Sequence, residues 1–189
     1  MSDPAVASAA SPLLEAIRGR RVERWFSDER LAEADVMAIA EAAARAPSGS
    51  GFRPNIFVAV TERDQIRNLF AMSPGMFSHP AAMLAICIDW TVLPYLRPDD
   101  PSTTHPTWFD IGAAFENALL VADEAGIGAC PVTSFHRAGA GAILGLPETT
   151  VPYVLVTLGH SAQPQEYRMP KRLRRGRIHR DRYQEASDG

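Results

Sequence analysis

With 189 residues, 46% of them apolar and 22% charged, the chain suits one water-soluble domain with a substantial core. No run approaches the ~18 uninterrupted apolar residues of a membrane-spanning helix, so no membrane partner is expected. The net charge of −3 hides an asymmetry: residues 1–165 carry 11 basic and 18 acidic side chains, whereas residues 166–189 carry 8 basic and 4 acidic, a C-terminus suited to meet negative charge.

Residues 1–11 are small and polar and are expected to be disordered, and they lack the basic start and apolar core of a signal peptide. Leu13, Leu14 and Ile17 predict a short amphipathic helix ending near Gly19. Arg20, Arg21 and Arg24 follow, backed by Trp25 and Phe26, and read either as an anion clamp or as a solvated surface turn. Glu33–Ala44 predicts a second helix with Val36, Ile39, Ala40 and Ala43 on one face, stopped by Pro47. Ser48–Gly51 reads as a flexible loop, Ile56–Val60 as a strand, and Gln65–Phe70 as a short helix before the turn Ser73–Gly75. Ala82–Asp89 is a continuous apolar run, the pattern of a strand buried on both faces. Trp90–Pro106, rich in Pro, Asp and Thr, reads as a long loop.

Asp110–Phe135 is the stretch around which the rest is organised. Polar residues keep to one narrow stripe, and Ile111, Phe115, Ala118, Leu119 and Ala122 cover most of the remaining circumference, which predicts a helix buried on nearly every side. Gly126 supplies its stop. Gly128–Val132 reads as a short strand whose Pro131 cannot donate to a ladder. Thr133-Ser134-Phe135 leads into a helix at Ala138–Leu144, and a strand end turning into a helix start leaves backbone donors for a polar or anionic cofactor edge. Val151–Leu158 is another buried strand, and residues 161–189 form an extended basic arm. The order predicts an α+β sandwich, one small sheet flanked by helices, with the core domain spanning 12–160. A helix as apolar as the central one asks for more cover than one chain offers, so a homodimer is expected.

Phosphate-loop, dinucleotide, CxxC and His-Glu-x-x-His motifs are absent, and no metal is expected. Cys87 and Cys130 lie in apolar runs and read as buried reduced thiols of a cytoplasmic protein. A nucleic-acid role is disfavoured by the acidic body and by an arm whose aromatics are Tyr167 and Tyr183 alone. Any hard chemistry then belongs to a bound cofactor.

The blocks Arg20-Arg21-Val22-Glu23-Arg24 with Phe26, Ala46-Pro47-Ser48 with Pro54, Glu116-Asn117-Ala118-Leu119-Leu120, Gly126-Ile127-Gly128, Pro131–Phe135, Leu144–Pro147 and Leu158-Gly159-His160 resemble, in order and spacing, the nitroreductase-like flavoproteins. The resemblance covers roughly residues 13–183. It implies FMN held in an intertwined homodimer, with hydride passing from NAD(P)H through flavin N5 to a nitroaromatic, quinone or similar small electrophile in ping-pong fashion. Carried over by residue, it implies that Arg20, Arg21 and Arg24 grip the FMN phosphate or ribityl chain, helped by Arg174 or Arg175. Pro131, Val132, Thr133 and Ser134 match the segment along the isoalloxazine, and Pro47, Ser48 and Gly51 a loop arriving from the partner subunit. Thr133, Ser134 and Arg53 are then the electrostatic and positioning groups at the reacting face. Three positions depart from the family pattern: Val22 in place of Ser, and Gly51 and Arg53 in place of Asn and Gln. A narrower likeness, in Ser73-Pro74-Gly75-Met76 with Pro80-Ala81 and in Gly128–Phe135, is to the flavin subunit of cyclodipeptide oxidases, which implies an oxidase working with a small companion subunit.

Overall fold

The two continuous apolar runs fold as the central strands of a single sheet. A computed structural model describes residues 11–93, 101–163 and 178–182, apart from the side chains at 50 and 101–106. The strands are β1 (Asn55–Val60), β2 (Ala82–Asp89), β3 (Gly128–Val132) and β4 (Thr150–Gly159), antiparallel throughout in the order β1-β2-β4-β3. Helices α1 (Pro12–Gly19), α2 (Glu33–Ala44), α3 (Arg63–Ala71), α4 (Pro101–Glu124) and α5 (Arg137–Ile143) complete the described sandwich.

Because side chains alternate along a strand, β2 sends Leu84, Ile86 and Ile88 into a core roofed by α2 and α4. Met83, Ala85 and Cys87 go to the opposite face, into a core with Ile66, Leu69 and Ala140 of α3 and α5. The register slips between Ile86 and Cys87, where β4 carries the extra residue Tyr153. Pro152 sits at this irregularity and beyond the end of β3, where a missing N–H breaks little of the ladder.

Cys87 is fully buried and free, and desolvation pushes its thiol up to about 12. The folded state therefore keeps a proton that the unfolded chain loses above pH 9.0. Stability is full below that pH and falls as pH rises towards 12, by up to about 1.4 kcal/mol per pH unit. Urea unfolding of the wild type and Cys87→Ala should show the wild type losing ground to the variant across this window, and a constant difference between them would refute the assignment.

α4 ends as expected. Gly126 has φ +72°, its N–H bonds the Asp123 carbonyl at 3.0 Å, and the Ile127 N–H bonds that of Ala122 at 2.8 Å. Its beginning differs from the sequence reading. Trp90–Val92 forms a 3₁₀ turn and the helix starts at Pro101, so the expected loop over Trp90–Pro106 is largely replaced; residues 94–100 lie outside the described part. Proline is favoured at a first helical position, and a helix already nucleated over Asp110–Glu124 extends at little cost per residue. Within one chain α4 is also buried along one face only. Ile111, Ala114, Ala118 and Ala122 are buried, Phe115, Leu120 and Val121 are half-buried, and Phe109 is 78% exposed. The expected disorder of residues 1–11 falls, up to Ser11, outside the described residues, and so does most of the basic arm.

Candidate functional site

Residues 22–27 lie in the crook between the outer edge of β3 and the end of β4. Val22 makes a parallel bridge with Ala129, the Glu23 N–H donates to the Ala129 carbonyl at 3.0 Å, and Phe26 bridges Ser161. The Ser27 N–H donates to the His160 carbonyl at 2.9 Å and the Ala162 N–H to that of Trp25 at 2.8 Å, so the ordered body continues past residue 160. Only glycine permits this approach, because a Cβ at Gly128 would stand 2.7 Å from Glu23 Cγ, and one at Gly159 would stand 2.9 Å from the Phe26 ring. Ser78 Oγ donates to the Arg24 carbonyl at 3.0 Å and accepts from the Phe26 N–H at 2.8 Å. The segment is thus anchored at both ends, with Arg24 between.

Arg24 borders a small cleft open to solvent together with Gly75, Met76, Cys130, Val132 and Thr157. Its guanidinium reaches Cys130, whose thiol is raised by burial and lowered in part by that cation, so the sulfur remains a protonated wall rather than a nucleophile. Just past β3, the Ser134 carbonyl accepts from the Gly75 N–H at 3.2 Å, and the His136 N–H donates to the Met72 carbonyl at 2.8 Å. The N–H groups of Thr133, Ser134 and Phe135 take no acceptor among the described residues. Three successive donors at an exposed strand end, beside a cation, form an edge suited to carbonyl oxygens, ring nitrogens or an anion.

The other arginines are held differently. Arg20 pairs through Nε with Glu116 of α4 at 3.0 Å, and its terminal nitrogens take no part in that contact. Arg21 folds back, with Nη1 donating to the carbonyls of Arg18, Gly19 and Arg20 at 2.7, 3.0 and 2.8 Å, which caps the end of α1. Arg174 and Arg175 lie outside the described residues.

Pro47, Ser48, Gly51 and Arg53 form a second group, on the N-terminal half of α4. The expected flexible loop is a 3₁₀ turn at Gly49–Gly51, fixed by the buried Asp110. Ser48 Oγ donates to Asp110 Oδ2 at 2.8 Å, and the Gly49 N–H donates to both carboxylate oxygens at 3.0 and 3.2 Å. At the far end Pro54 is buried and its carbonyl accepts from the Asp89 N–H at 2.8 Å. Between these anchors Gly51 and Arg53 take φ of +72° and +50°. A left-handed backbone is free for glycine but costs roughly 1–2 kcal/mol at an arginine. Phe52 and Arg53 point to solvent, and Arg53 makes no ion pair or hydrogen bond among the described residues.

The structure therefore gathers Arg24 and Pro131–Ser134 at β3, holds Arg20 against Glu116 of α4, and sets Pro47–Arg53 apart at Asp110. Asp110 is six residues from Glu116 on α4, roughly 9 Å along the axis. Sequence reasoning missed the roles of Glu23, Gly75, Ser78 and Asp110. A lone acid inside an arginine cluster, and one opening an otherwise apolar stretch, were the available signals. Among the described residues there is no group of three or more His, Cys, Asp or Glu placed to hold a metal ion, and no helix long and apolar enough to cross a membrane.

The chain is similar to known proteins along most of its length. The sequence model described as the nitroreductase family matches residues 17–90 and 79–160. A protein of Archaeoglobus fulgidus, with the provisional name NADH dehydrogenase/NAD(P)H nitroreductase, is 29% identical over 178 residues, covering 90% of this chain and 98% of its own. The NADPH-flavin oxidoreductase of Vibrio harveyi is 27% identical over 182 residues, covering 92% and 75%. Among solved structures, NfrA1 of B. megaterium aligns with a TM-score of 0.78 at 20% identity, covering 92% of this chain and 76% of its own, a likeness of fold.

Proposed function

Since this chain belongs to the nitroreductase family, we propose that it is an FMN-dependent oxidoreductase working as a homodimer on NAD(P)H and a small electrophile such as a nitroaromatic or quinone. The observation that carries this reading is the row of free N–H donors at Thr133–Phe135 beside the Arg24 cleft, a donor set that fits the polar edge and anionic tail of FMN. Bound there, FMN would supply two-electron hydride-transfer chemistry between the nicotinamide and the acceptor.

The chain's own residues bind, orient and shield. Arg24, with the terminal nitrogens of Arg20 and the arm's Arg174 and Arg175, would neutralise the phosphate and hydrogen-bond the ribityl hydroxyls, and Arg21 braces the end of α1. Cys130 and Val132 line one wall of the cleft, Pro131 follows the same strand edge, and Thr133 and Ser134 would present backbone N–H groups to the flavin ring. The second copy contributes its Pro47–Ser48–Gly51 turn, and Arg53 sets a permanent positive charge near acidic acceptors.

The exposed apolar surface favours the dimer. Around α4, the neighbouring α1 has no buried residue and α2 exposes Met37, while Leu13 is 62% exposed. Such an apolar surface calls for cover. The purified protein should be yellow, with about one FMN per chain, should run at about twice 20.6 kDa in light scattering, and should bleach anaerobically with NADH or NADPH. A colourless monomer that takes up no FMN on reconstitution would sink the proposal. The oxidase chemistry and the small companion subunit have no observation in their favour and are not part of it.

A further inference from the structure

Resting on the reading that Arg24 grips the anionic part of FMN, we propose that Glu23 is the positioning residue that aims Arg24 into the cleft. Its side chain is 8% exposed, an unusual place for a carboxylate within an arginine cluster. Oε1 accepts the N–H of Arg24 and the N–H of Trp25, both at 2.9 Å, and Oε2 accepts from Ser161 Oγ in a short contact. The carboxylate thus bends back over the two residues that follow it and ties them to the end of β4. On the other side Ser78 Oγ holds the Arg24 carbonyl, and the Ala129 carbonyl holds the Glu23 N–H. The peptide units flanking Arg24 are held from both sides, which fixes the direction of its Cα–Cβ bond, and the side chain runs from there past Cys130 into the cleft.

A buried acid beside an anion site is unfavourable by Coulomb's law alone, so a charge role and a geometric role predict opposite results. As a charge, Glu23 opposes anion binding, and its removal tightens FMN. As a geometric lock, its removal leaves two backbone donors without an acceptor and lets Arg24 swing, and FMN weakens. Three donors already engage the carboxylate, and the geometry favours the lock.

The test uses the full-length protein stripped of flavin and titrated with FMN, followed by quenching of flavin fluorescence. Glu23→Ala should raise Kd roughly 10- to 30-fold, as expected when a network of charge-assisted hydrogen bonds is lost. Glu23→Gln, whose amide oxygen still accepts both N–H groups, should stay within about threefold of wild type. In an Arg24→Ala background, Glu23→Ala should add less than about threefold, because a lock without its Arg has nothing to aim. Additive effects, tighter binding in either variant, or equal losses for Ala and Gln would overturn the positioning role and leave the flavin reading intact. An Arg24→Ala protein that binds FMN as wild type does would overturn the flavin contact and the inference with it. Should Glu23→Ala not fold by circular dichroism, Ser161→Ala removes the third contact. It should raise Kd about two- to fivefold in the Arg24 protein and not in Arg24→Ala, and an unchanged Kd would overturn the lock.

Discussion

Arg24→Ala is expected to weaken FMN binding roughly 10- to 150-fold, which corresponds to about 1.5–3 kcal/mol for a lost hydrogen bond to a charged group. Arg24 is singled out over its neighbours by what each side chain already does. Arg21 spends Nη1 on three carbonyls at the end of α1, and Arg20 shares its charge with Glu116. Arg24 borders the cleft, its backbone pinned by Glu23 and Ser78. Arg20→Ala should therefore weaken FMN less, and so should a single change at Arg174 or Arg175, which can substitute for one another. Arg24→Lys should recover part of the loss, since an ammonium keeps the charge without the planar fork. Titration of apoprotein measures all of these, and unaltered affinity in Arg24→Ala would place the phosphate site elsewhere.

Leu155→Ala is expected to cost about 2–5 kcal/mol of unfolding free energy, a large part of the ~5–15 kcal/mol available to a domain. Leu155 is fully buried in the middle of β4, opposite Ala85 on one side and Val132 on the other. It fills the core beneath α3 and α5, where a sheet closed by two helices has little room to collapse into the void. Urea unfolding should show a lower midpoint with an unchanged slope. FMN affinity should fall far less than in Arg24→Ala, because Leu155 holds the wall formed by Val132 without touching the cleft opening. A loss below ~1 kcal/mol would mean that neighbouring side chains close over the deleted atoms.

The elements most legible in the sequence are those whose signal is local. Helix α2 runs over Glu33–Ala44 as its apolar spacing predicts, and β2 over Ala82–Asp89 as its unbroken apolar run predicts. Gly126 ends α4 because only glycine takes φ +72° without strain, a property of one residue and its two neighbours. The arginine cluster, the Pro131–Ser134 segment and the basic arm were visible for the same reason, as chemistry written in adjacent letters.

What tertiary structure alone decided depends on partners far away in the chain. The turn at Gly49–Gly51 reads as a flexible Gly/Ser loop until Asp110, 61 residues on, takes its donors. Glu23 reads as a surface acid until Ser161, 138 residues on, closes over it. Pro101–Pro106 reads as loop until the packed half of α4 nucleates the turn before it. Local pattern reports what a segment can bury or donate. Which distant group accepts it, and therefore which of several similar arginines faces the cleft, is settled only when the strands have paired.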